Sequence, residues 1–131
     1  MARMEVKQTF IAITVGNAES MLDFYKSNLG METAWTDSAD QNVIKHYLSF
    51  EGGMLKMFAP AKPPEKSPSD VLGFTGYRLL TFVVNNMTEL CKELEAKGVR
   101  FAIPPQANAN GSKWAIISDP EGNLIELSGK G

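Results

Sequence analysis

Lys56 and Glu126 are the charged residues whose placement in this chain could do chemistry. Both fall in a segment that occurs twice. Glu51-Gly52-Gly53-Met54-Leu55-Lys56-Met57 aligns with Glu121-Gly122-Asn123-Leu124-Ile125-Glu126-Leu127, 70 positions later. Opposite charges thus stand at equivalent places. If both are buried they should pair, because an unpaired buried charge is costly. If not, Lys56 extends to solvent along its apolar stem and Glu126 is hydrated. His46 is the only histidine, and a histidine can act as acid or base near neutral pH. Strand alternation puts it with Ile44, Leu48 and Phe50 on a face expected to lie under helices. That favours a sheet-edge histidine, hydrogen-bonded or partly solvated. Cys91, the single cysteine, sits in a helical pattern with nothing nearby to activate it, so a buried structural thiol is expected.

The elements that must position these residues also come in two copies. Phe10-Ile11-Ala12-Ile13-Thr14-Val15-Gly16-Asn17 reads as an apolar strand ending in a polar turn. Leu79-Leu80-Thr81-Phe82-Val83-Val84-Asn85-Asn86 repeats it 69 positions later. A helix from about Ala18 to Leu29 is predicted after the first copy, with Asn17 as N-cap and Gly30 as stop. Another is predicted from Met87 to Lys97, where Asn86 and Glu89 form a capping box and Gly98 ends the helix. Met21, Leu22, Tyr25 and Leu29 recur at helical spacing on the first, and Leu90, Cys91 and Leu94 on the second. Strand signals follow at 32–36, 43–50 and 54–58, then at 100–103, 113–118 and 124–128. Gly52-Gly53 and Gly122-Asn123 read as two-residue hairpin turns. Asp119-Pro120 sets the turn direction, and Gly122-Asn123 supplies positive φ. The pattern predicts an α+β fold of two tandem βαβββ modules, residues 1–58 and 77–131. The stretch 59–76, carrying Pro60, Pro63, Pro64 and Pro68, reads as an extended spacer.

The bulk numbers exclude several classes. A chain of 131 residues with 44% hydrophobic content suits one ordinary globular unit. The net charge of −2 argues against a nucleic-acid partner. No apolar run approaches the roughly 18 residues of a membrane span. The start, Met1 to Lys7, has no apolar stretch of signal-peptide length. One cysteine permits no internal disulfide and suits a reducing cytoplasm, the expected location.

This order and two motifs resemble the vicinal oxygen chelate superfamily. It includes glyoxalase I, extradiol dioxygenases, methylmalonyl-CoA epimerase, and the fosfomycin- and bleomycin-resistance proteins. Phe24-Tyr25-Lys26-Ser27-Asn28-Leu29-Gly30-Met31 is like the family's helix-ending FY…LG signature. Asp119-Pro120-Glu121-Gly122-Asn123-Leu124-Ile125-Glu126-Leu127 is like its DPxGNxxEL signature. The resemblance implies curved mixed sheets with helices on the convex face and a concave cup on the other. It also implies four metal-ligand positions facing the cup, which here hold Phe10, Lys56, Leu79 and Glu126. Only Glu126 is a usual donor. Phe and Leu cannot ligate, and a lysine ammonium has no lone pair. No metal and no cofactor are therefore expected.

With Phe10 and Glu126 facing the cup, alternation adds Thr14, Tyr47, Lys56, Phe58, Leu79, Thr81 and Trp114 as candidate ligand contacts. Trp114 is a candidate for stacking on a ligand. Alternation does not fix the facing of Trp35, which is expected in the core. The leading expectation is a metal-independent binding protein for a small neutral or anionic, partly aromatic molecule, on the precedent of the bleomycin-resistance proteins. The alternative is a metal-free lyase, isomerase or dioxygenase-type enzyme, with Glu126 as general base and Tyr47 or Lys56 as acid or electrostatic stabiliser. A filled cup with a purely assembling role is a third option. A homodimer is expected, since the family closes its cups within or between chains.

Overall fold

A computed structural model describes residues 2–131. Met1, the first residue of the expected module one, lies outside the described residues. The fold is α+β. It divides into two compact units, Met1–Lys66 and Ser67–Gly131.

The first unit runs β1 (Phe10–Thr14), α1 (Ala18–Asp23), β2 (Glu32–Asp37), β3 (Val43–Phe50) and β4 (Gly53–Pro60). Its sheet order is β1-β4-β3-β2, with β1 parallel to β4 and the other pairs antiparallel. First and last strands are thus neighbours. Asn17 caps α1 by accepting from the Ser20 amide at 3.0 Å. The helix widens to π geometry over Phe24–Asn28, and Gly30 then turns the chain at φ 78°. Met21, Phe24 and Tyr25 of this helical stretch are buried, as are Leu48, Leu55 and Met57 of the strands. These side chains form the unit's core.

The second unit repeats the plan with β5 (Leu80–Val84), α2 (Met87–Ala96), β6 (Arg100–Ala107), β7 (Lys113–Ser118) and β8 (Leu124–Gly129). Its order is β5-β8-β7-β6, again with the outer β5 parallel to β8. The helix α2 packs on β6 and β8. Met87, Cys91 and Leu94 on α2 and Ile117, Ile125 and Leu127 on the sheet are buried. Pro104 and Pro105 interrupt the pairing of β6 with β7, between the Ile103–Ile116 and Gln106–Trp114 pairs. A proline has no amide proton to give to a ladder.

Several sequence expectations are corrected in detail. The Asn86 side chain makes no capping hydrogen bond. The first α2 amides, of Met87 and Thr88, instead donate to the carbonyls of Lys130 and Gly131. Lys130 and Gly131 thus supply acceptors for two of the amides that a helix start leaves without partners. The turn before β8 is not a two-residue hairpin, because Ser118 pairs with Leu124 and five residues intervene. Within it only Gly122 has positive φ, at 90°, and Asn123 does not. The first hairpin does have two loop residues, but they are Glu51 and Gly52, since Phe50 pairs with Gly53. Ala59 and Pro60, expected in the spacer, continue β4. Pro60 ends the strand opposite Val43, and the Ala61 amide then donates to the carbonyl of Asn42.

Candidate functional site

The β4 strand shows how alternation sorts side chains. Leu55 and Met57 are fully buried, while Lys56 and Phe58 between and beyond them are half-buried. Lys56 and Phe58 therefore lie on the face opposite the core. Strand register then builds a row across that face. Trp35 on β2 pairs with Tyr47 on β3, Tyr47 with Lys56 on β4, and Lys56 with Ala12 on β1.

The row is aromatic with one cation. Trp35 and Tyr47 stack with ring centroids 4.0 Å apart and planes 16° from parallel. Phe10 meets both edge-on, at 6.5 Å from Trp35 and 6.1 Å from Tyr47. The Lys56 ammonium sits 5.5 Å from the centre of the Tyr47 ring and 4.8 Å from that of Phe58. Both distances are in the range of cation–π attraction. Despite their mutual contacts, Trp35 remains 47% exposed and Phe10 41%.

The second unit carries the same row with different chemistry. Ile103 on β6 pairs with Ile116 on β7, Ile116 with Glu126 on β8, and Glu126 with Thr81 on β5. Aliphatic side chains replace Trp35 and Tyr47, and a carboxylate replaces the ammonium. The Thr81 hydroxyl donates to Glu126 Oε1 at 3.0 Å. That bond fixes one oxygen of the carboxylate.

The structure brings Phe10, Tyr47, Lys56 and Phe58 together on the first sheet, and Thr81 and Glu126 together on the second. Thr14 is exposed, on β1 opposite Phe58. Leu79 is half-buried and lies one residue before β5 begins. Trp114 is half-buried and pairs with Ser128, two residues along β8 from Glu126. Trp35 is the residue that sequence reasoning missed. Its expected place in the core is wrong, because a bulge in β2 between Thr33 and Trp35 reverses the alternation. Thr33 pairs with the buried Leu48, but Trp35 pairs with Tyr47. Nothing in the sequence signals that bulge.

Of the four ligand positions that the resemblance implies, three hold side chains that do not fit a divalent metal. The Phe10 ring packs on aromatic neighbours and the Lys56 ammonium lies over two rings. Neither these groups nor the alkyl chain of Leu79 offers a lone pair. Among the described residues, no group of three or more His, Cys, Asp or Glu side chains could hold a metal ion. No helix there is long and apolar enough to cross a membrane.

His46 pairs with Thr36 and Met57, on the core side and away from the aromatic row. Burial holds its pKa below the ordinary 6.5, and the charge of Lys26 adds to this. The unfolded chain therefore binds a proton more readily than the folded one. The stabilising contribution is complete above pH 6.5 and is lost as pH falls from there through the lower folded value. Urea midpoints measured from pH 7.5 to 5 should fall more for the protein than for His46→Gln. Parallel curves would show that this imidazole does not sense folding. Burial raises the pKa of Cys91 in the core of the second unit, with Lys113 acting in the opposite direction. That suits a structural thiol.

The family model described as Glyoxalase/Bleomycin resistance protein/Dioxygenase superfamily matches residues 7–127. Solved structures agree over nearly the full length. A glyoxalase family protein from Enterococcus faecalis is 27% identical with a TM-score of 0.76, covering 95% of this chain and 96% of that one. A member of the same superfamily from Sphaerobacter thermophilus is 25% identical with a TM-score of 0.73, covering 98% of this chain and 100% of that one. The crystal structure of SMU.1112c superposes with a TM-score of 0.82 at 23% identity, covering 96% and 99%, a likeness of fold. Among curated proteins, none matches the chain.

Proposed function

This chain belongs to the glyoxalase/bleomycin resistance protein/dioxygenase superfamily, and from that premise we propose that it binds a small, partly aromatic molecule, neutral or anionic, without a metal. The ligand lies on the face of the first sheet formed by Phe10, Trp35 and Tyr47. The observation that carries this reading is the exposure of that cluster. Two large aromatic side chains keep 41% and 47% of their surface in contact with solvent although three rings pack together. Contiguous exposed apolar surface of this kind marks binding sites. A planar ligand would cover it and gain both area burial and ring–ring attraction.

The test is titration with 2-naphthalenemethanol, followed through the side-chain indole NMR signals of Trp35 and Trp114. The Trp35 signal should shift saturably, and Trp35→Ala should weaken binding about tenfold or more. A Trp35 signal that stays fixed throughout would overturn the reading. The hydrogen bond from Thr81 to Glu126 favours a second reading, in which the oriented carboxylate is the general base of a metal-free enzyme. Turnover lost in Glu126→Gln with ligand binding retained would select that reading over pure binding.

A further inference from the structure

The two rows form an internal comparison. At equivalent positions of the same sheet plan, one unit holds a carboxylate beside a threonine and the other an ammonium beside an alanine. Glu126 receives a hydrogen bond from its cross-strand neighbour. The neighbour of Lys56 is Ala12, whose side chain has no polar atom. Among the described residues of its own unit, the Lys56 ammonium meets only the faces of Tyr47 and Phe58. Ring faces steady a cation but leave its three N–H donors without acceptors. Among the described residues no buried side-chain nitrogen or oxygen lacks a partner. The Lys56 ammonium therefore reaches the surface, still able to donate.

We infer that the ligand of the first sheet is a planar aromatic carboxylate, and that Lys56 selects its charge. This inference rests on the binding reading above and names the ligand class within it. The ring would cover Trp35 and Phe10. The carboxylate would accept from the Lys56 ammonium, which the stems and rings around it already position. The Lys56 ammonium is 5.5 Å from the centre of the Tyr47 ring, which is itself 4.0 Å from that of Trp35, so ring and ammonium are less than about 10 Å apart. A carboxylate attached directly to a one- or two-ring arene fits that span. The same ammonium repels a cationic ligand, so the lysine discriminates as well as attracts.

The experiment compares three probes of one shape on the full chain: 2-naphthoate, 2-naphthalenemethanol and 2-naphthylmethylammonium. Binding is read from the Trp35 indole signal. The protein should bind naphthoate about tenfold more tightly than the alcohol, as a charge-assisted hydrogen bond exceeds a neutral one, and the ammonium most weakly. Lys56→Met should abolish the preference for naphthoate while still binding the alcohol, and Lys56→Arg should keep the preference. Equal binding of naphthoate and alcohol by the protein, or a preference that survives in Lys56→Met, overturns the inference and leaves the aromatic binding reading standing. If no probe moves the Trp35 signal, both fall.

Discussion

Asp119→Ala should lower the free energy of unfolding by about 3 kcal/mol, measured by urea at pH 7. Asp119 is 3% exposed, so its carboxylate depends on protein donors. Its Oδ1 accepts from the amides of Glu121 and Asn123, both at 2.9 Å, and its Oδ2 accepts from Asn123 Nδ2 at 2.8 Å. Its own backbone closes the same loop, with the Asp119 amide donating to the Asn123 carbonyl at 3.0 Å and the Gly122 amide donating to the Asp119 carbonyl at 3.0 Å. One carboxylate thus organises the five residues between β7 and β8. Alanine leaves three part-buried donors without that acceptor, and a single hydrogen bond to a charged group contributes about 1.5–3 kcal/mol. The loop delivers Glu126 to its place, so the loss should extend to whatever Glu126 does. A loss under about 1 kcal/mol would show that the backbone bonds hold the loop unaided.

Leu55→Ala should cost about 2–5 kcal/mol, the range for removing a buried leucine side chain where the surroundings cannot collapse. Leu55 is fully buried on β4, with Ile11 and Leu48 as its cross-strand partners. It sits one residue before Lys56 and faces the other way. The comparison that checks the two faces is Leu55→Ala against Lys56→Met. The second removes no core volume and should change stability by less than about 1 kcal/mol. Similar losses in the two variants would mean that the outer face of β4 is as tightly packed as the inner one.

Alternation and the repeat made most of this legible in advance. They placed Tyr47, Lys56 and Phe58 on one face and His46 on the other, because β3 and β4 pair without a bulge. The equivalence of Lys56 and Glu126 follows from the repeat and is matched by register, since each lies opposite the third residue of its repeated first-strand segment, Ala12 or Thr81. What was not legible depends on particular contacts, near or far in sequence, that alternation and propensity do not contain. Trp35 was misplaced because one bulge in β2 turns it over. The α2 cap was misassigned because its acceptors come from Lys130 and Gly131, more than 40 residues away. The two-residue turn at Gly122-Asn123 gave way to a five-residue loop because the buried carboxylate of Asp119 gathers its amides. Local propensity cannot foresee acceptors that folding brings from elsewhere.

The prolines of β6 have a consequence for self-association. β1 and β2 are outermost in the first sheet and β5 and β6 in the second, and an outermost strand can template the addition of a foreign strand. Pro104 and Pro105 remove two consecutive donors from β6, and the broken pairing around them bends the strand. An incoming chain would find no continuous ladder there. β2 contains no proline, and its residues 32–36 are exposed. Its remaining guards are the bulge ahead of Trp35 and the charges of Glu32 and Asp37 at its ends. Of β2 and β6, the edge that carries Trp35 is thus the more open to strand addition.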